Sequence, residues 1–129
     1  MKYLCLVYRD EQVWDALPRR EYHALVDEIL DYREELRTGA HFIAADAVQH
    51  AHTATTVRVR DGKPIVTDGP YAETKEQIGG FYLLEARDLN DAIRVAANIP
   101  SARLGIVEIR PIKELAAIGS RGAQPLATS

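Results

Sequence analysis

Cysteine is nearly absent: Cys5 is the single one in 129 residues. No disulfide can form within the chain, so the fold must rest on packing, and a reducing, cytoplasmic setting is the expectation. Long apolar runs are missing too. Nothing approaches the roughly 18 consecutive apolar residues of a membrane helix. The opening run Met1–Tyr8 is too short for a secretory leader and has no small-residue cleavage site. Charge of one sign is scarce: 16 basic and 19 acidic residues are interspersed, for a formal net charge of -3. Without a basic block, the footprint of a nucleic-acid binder is missing. No Gly-x-Gly-x-x-Gly run, phosphate loop or nucleophile elbow occurs, and no cofactor is implied. His50 and His52, with Asp46 upstream, lack the spacing of a metal site, so no metal is expected.

What is present fits one α+β domain. The length and the 47% hydrophobic content allow a single packed core. Residues 2–8 alternate as a strand, with Tyr3, Cys5 and Val7 on one face and Leu4, Leu6 and Tyr8 on the other. Both faces are apolar, so both need cover. Tyr22, Leu25, Val26, Ile29, Tyr32 and Leu36 recur at helical spacing between Arg19 and Arg37, with Gly39 as the cap. Residues 41–48 and 53–60 read as strands. Asp61–Gly62 turns the second of these into a hairpin, and Pro64 puts the return strand at an edge. Ile78–Ala86 is a strand. Asp88 caps a helix that Pro100 ends, and Gly105–Arg110 is the last strand. The domain spans residues 1–115, and 116–129 reads as a flexible tail. The order is that of a ferredoxin-like β-α-β-β-α-β domain with a hairpin extension. Two helices cover one sheet face. The other is left apolar, which predicts a homodimer.

Chemistry concentrates in the segment Thr67–Glu76. Asp68, Gly69 and Pro70 have backbone reasons to build a turn. Tyr71, Glu73 and Lys75 add an aromatic wall, a carboxylate and an ammonium. Arg58, on the polar side of the hairpin with Arg60, can hold an anion. Gly79 and Gly80 open an otherwise apolar strand, which implies a bulge or a close backbone approach. Arg9 and Asp10 end the first strand at the same edge. Trp14 sits in the polar linker that follows, where it anchors that linker or walls a cleft.

The run Val66–Thr67–Asp68–Gly69–Pro70–Tyr71–Ala72–Glu73–Thr74–Lys75–Glu76–Gln77–Ile78–Gly79–Gly80–Phe81–Tyr82 resembles the signature of the YCII-related family, in its DGPF-containing branch. Tyr71 stands where the branch has phenylalanine. The first strand, residues 54–60 and residues 99–111 are similar as well. The resemblance implies a dimeric α/β-barrel type of assembly, joined through the sheets. Branch members are often encoded beside extracytoplasmic-function sigma factors, which implies a regulatory or stress-linked setting. The wider family has a proposed catalytic His–Asp pair, and His23 and Asp46 lie nearest to it by region. Leu104 stands where branch members often carry histidine or tyrosine. Three functions follow from these residues. One is binding of a small polar or anionic molecule through Arg58, Asp68, Tyr71, Glu73 and Lys75. Another is an acid–base enzyme using Asp68 or Glu73. The third is a structural or protein-interaction dimer whose loop only fixes the fold.

Overall fold

Alternating apolar residues make Lys2–Asp10 the first strand, β1, and the odd-numbered residues Tyr3, Cys5, Val7 and Arg9 are its buried face. The computed structural model describes residues 1–120; the last nine positions of the expected tail lie outside the described residues. Asp10 accepts a hydrogen bond from the Gln12 amide at 2.9 Å and so caps a short helix, α1 (Glu11–Asp15). That helix replaces the expected linker around Trp14. Pro18 precedes the long helix α2 (Arg19–Thr38). Gly39 ends it with φ -96°, a conformation open to any residue, so glycine is not required there. β2 (Phe42–Ala47), the hairpin strands β3 (Thr55–Arg60) and β4 (Lys63–Asp68), and β5 (Glu76–Glu85) follow. The hairpin turns through Asp61 and Gly62, both at positive φ, as the Asp-Gly pair predicts. Asp88 caps α3 (Leu89–Ala97) through the Asp91 amide at 2.9 Å. Residues Pro100–Leu104 form a 3-10 turn before β6 (Gly105–Pro111). β5 begins two residues earlier than expected because Glu76 and Gln77 still pair with Asp10 and Arg9 of β1.

The main sheet is antiparallel, in the order β2-β5-β1-β6; β3 and β4 form a separate two-stranded sheet. Each helix connection skips over one neighbouring strand, which is consistent with a ferredoxin-like β-α-β-β-α-β arrangement. Cys5, Val7, Tyr82 and Leu84 of the sheet meet Leu36 of α2 and Val95 and Ala96 of α3 in the core, with Ile99 just beyond α3. Burying a side chain the size of Leu84 contributes roughly 2 kcal/mol. The Tyr32 hydroxyl donates to the Val95 carbonyl at 2.7 Å and joins the two helices. On the opposite sheet face Leu4, Leu6 and Tyr8 line up with Leu83, Phe81 and Ile78 of β5. Ile78 and Ile106 are exposed there, and the rest are half-buried. No helix among the described residues is long and apolar enough to cross a membrane.

Candidate functional site

Gly79 and Gly80 shape the largest consequence of the fold. β1 and β5 slip register between Val7 and Tyr8, and Gly79 is the extra residue of that bulge. A Cβ on Gly80 would lie 2.9 Å from the Asp46 carbonyl oxygen of the adjoining strand. With no side chains on this stretch of β5, space is left between the sheet and the middle of α2. The result is a cleft of about 510 Å³, bordered by Val26, Ile29 and Leu30 above and by Gly79, Gly80 and Val7 below. Trp14, Tyr22 and His50 border it as well.

Arg9 lies in this cleft, on the core face of β1 and only 8% exposed. Its guanidinium carbon sits 4.0 Å from the Trp14 ring centroid, a cation–π contact. On another side it meets Gly79, where a Cβ would come within 2.7 Å of Nε. Glycine at 79 is what makes room for the arginine. Nε is buried and has no hydrogen-bond partner among the described residues. Burial pulls the Arg9 pKa below the usual arginine value, while Glu11, Tyr22 and Asp15 pull it back up. Arginine stays charged under such shifts.

The carboxylates nearby have other partners. Glu11 accepts the Ala51 amide at 2.8 Å, and Asp15 meets His50 Nε2 at 2.6 Å. Asp46 pairs with Arg33 at 3.5 Å. Asp10 caps α1 and lies 4.0 Å from the Lys75 ammonium.

The loop singled out by the sequence borders a second, more open cleft of about 790 Å³. Asp68, Glu73 and Lys75 converge there with Asp10 and Glu11. Gly69, at φ 100°, and Pro70 form its wall. Loop bonds hold this shape: Thr56 donates to the Gly69 carbonyl at 2.7 Å, and Gln77 donates to the Ala72 and Thr74 carbonyls at 2.9 and 3.0 Å. Tyr71 is 81% exposed and borders neither cleft. Arg58 projects from the exposed hairpin and borders neither as well.

The family model of the YCII-related domain matches residues 1–116. The chain belongs to the YCII-related family. The uncharacterised protein R00369 of Rhizobium meliloti (strain 1021) is 32% identical over 114 residues, covering 87% of this chain and 92% of that protein.

In this YCII-related domain His23 and Asp46 form no pair. His23 is exposed beside Tyr22, and Asp46 turns to Arg33. The histidine–carboxylate pairs are instead His50 with Asp15 and His41 with Asp91, the latter at 3.0 Å. Asp91 is buried and also accepts from the Arg87 amide at 3.0 Å and from Arg94 at 2.6 Å. These bonds, the Arg87 amide foremost, hold its carboxyl far below the usual range. The cluster fastens the start of β2 to α3. The importance of Arg9 had one signal in the sequence: alternation puts it in phase with Tyr3, Cys5 and Val7, a charged residue at a core position.

Proposed function

We propose that this YCII-related domain is a homodimeric small-molecule-binding protein of the dimeric α/β-barrel type, with its ligand in the cleft under α2. The observation that carries this reading is the cleft itself: apolar helix residues and aromatic rings surround a few polar groups, in a volume typical of small-molecule sites. The apolar sheet face opposite the helices supports the dimer, since Leu4, Leu6, Phe81 and Leu83 gain cover only from another molecule. The Asp68–Tyr71 run supports membership of the DGPF branch and, through that likeness, a regulatory or stress-linked setting. The loop cleft is a poorer seat for an anion, because Asp10, Glu11, Asp68 and Glu73 outnumber Lys75. It suits a polar or cationic group. Arg58 and Tyr71 have no part in this reading.

The test is a screen of small polar metabolites by amide chemical shifts, on the natural chain and on Ile29→Trp, which fills the cleft. Binding that shifts Val26, Gly79 and Gly80 and is lost in the filled variant supports the reading. Shifts confined to residues 68–75 would move the site to the loop, and no shifts at all would leave a structural dimer.

The enzyme alternative is carried better by His50 than by Asp68 or Glu73. His50 borders the cleft and Asp15 orients it at 2.6 Å, the arrangement of a base and its positioning partner. That alternative requires a bound compound to be turned over, with turnover lost and binding kept in His50→Gln.

A further inference from the structure

We infer that the cleft under α2 is a carboxylate site, in which Arg9 receives the acid group of a small organic monoacid whose apolar body lies against Trp14, Tyr22 and α2. The inference rests on the proposed ligand-binding role of that cleft and names the ligand's chemical class.

The missing partner of Arg9 leads to it. An unpaired buried charge is costly, and native proteins normally give such a group a counter-charge. Arg9 has none among the described residues, although four carboxylates lie on neighbouring elements. Each of those four is committed: Glu11 to the Ala51 amide, Asp15 to His50, Asp46 to Arg33, and Asp10 to the α1 cap beside Lys75. No acid is therefore in contact with the Arg9 guanidinium among the described residues, and its donors are left for the acid group of a ligand.

Shape narrows the class further. The guanidinium is pinned between the Trp14 ring and the backbone of Gly79, so its orientation is set before anything binds. A planar carboxylate matches the planar donor edge of arginine. A tetrahedral dianion fits less well. It brings a second negative charge, and the other guanidinium bordering the cleft, Arg33, already faces Asp46. The remaining wall is apolar, with Tyr22, Val26 and Ile29 offering surface to a hydrocarbon or aromatic body.

Trp14 is the single tryptophan and lies against the guanidinium, so its fluorescence reports on occupancy directly. The experiment titrates the full chain at constant ionic strength with benzoate and phenylacetate, with the matched amides, and with inorganic phosphate and sulfate. The same series is run on Arg9→Met and Arg9→Lys. The acids are expected to bind saturably, at least about tenfold tighter than their amides, as a charge-assisted pair requires. Arg9→Met is expected to lose that preference, and Arg9→Lys to keep part of it. Comparison of acid with amide on the natural chain needs no variant, so the inference stays testable even where Arg9→Met fails to fold. Amides that bind as tightly as acids, or acids that bind Arg9→Met unchanged, overturn the carboxylate assignment while leaving the cleft a binding site. Phosphate or sulfate binding as tightly as the acids overturns it in favour of an unselective anion site. If neither acids nor amides alter Trp14 fluorescence or the amide shifts of the cleft, the carboxylate inference falls, and the metabolite screen alone decides the binding role.

Discussion

Cys5 and Asp91 carry sharp single-residue predictions. Cys5 is fully buried, and burial pushes its thiol up to about 11. Thiolate is the reactive form, so at pH 8 the native chain should resist alkylation by iodoacetamide and react once urea unfolds it. Rapid native labelling would contradict the core placement. Asp91 sets the acid side of stability. Its carboxyl is held far below the unfolded value of about 4, so its contribution is full above that value and drains away as the pH falls below it. Urea midpoints measured from pH 6 down to pH 3 should fall for the natural chain. In Asp91→Asn the start should be lower and the acid slope shallower. Gly80→Ala would set a Cβ against strand backbone, and overpacking of that kind costs about 1–3 kcal/mol, readable as a lower urea midpoint. At this scale the sequence was only partly legible. The glycine pair announced a bulge or a close approach, and both occur. Asp15 and His50 lie 35 positions apart and His41 and Asp91 lie 50, pairings no local spacing encodes.

The β3–β4 hairpin is the element least supported by the rest of the domain. Val57, Val59 and Val66 are 59%, 67% and 63% exposed, and an isolated two-stranded hairpin is marginal in water. Amide hydrogen exchange should therefore run much faster in residues 55–68 than in β1 and β5, in a monomeric sample. Equal protection would show that something covers the hairpin. Its turn was legible because Asp-Gly is a local signal. The same holds for the Asp88 cap and for the stripe of α2, which are read within a turn or two of chain. α1 was not legible. Five residues are too few to show a helical period, and this helix exists because Asp10 caps it while Trp14 docks on Arg9.

For the molecule as a whole, strand order followed from the sequence of elements, since helix-linked strands skip a neighbour and pair antiparallel around it. The apolar character of the second face was equally visible in the alternation of β1. What that face meets is a matter for solution measurement. Light scattering should give twice the chain mass of 14.4 kDa, and Leu6→Glu, a charge set in the centre of that face, should reduce it to one chain while the fold persists. A single-chain mass for the natural protein would remove the dimer. The cleft was the least legible feature, because it is made by side chains that are missing. No hydrophobic pattern reports a space between a helix and a sheet. That origin has an evolutionary consequence. A glycine codon turns into alanine, serine or valine by one base change, so the receptor of this domain is adjustable at Gly79, where a Cβ meets only the Arg9 side chain and not the strand ladder. Related chains are free to diverge in what they receive, or to lose reception altogether, through substitutions that leave their architecture alike.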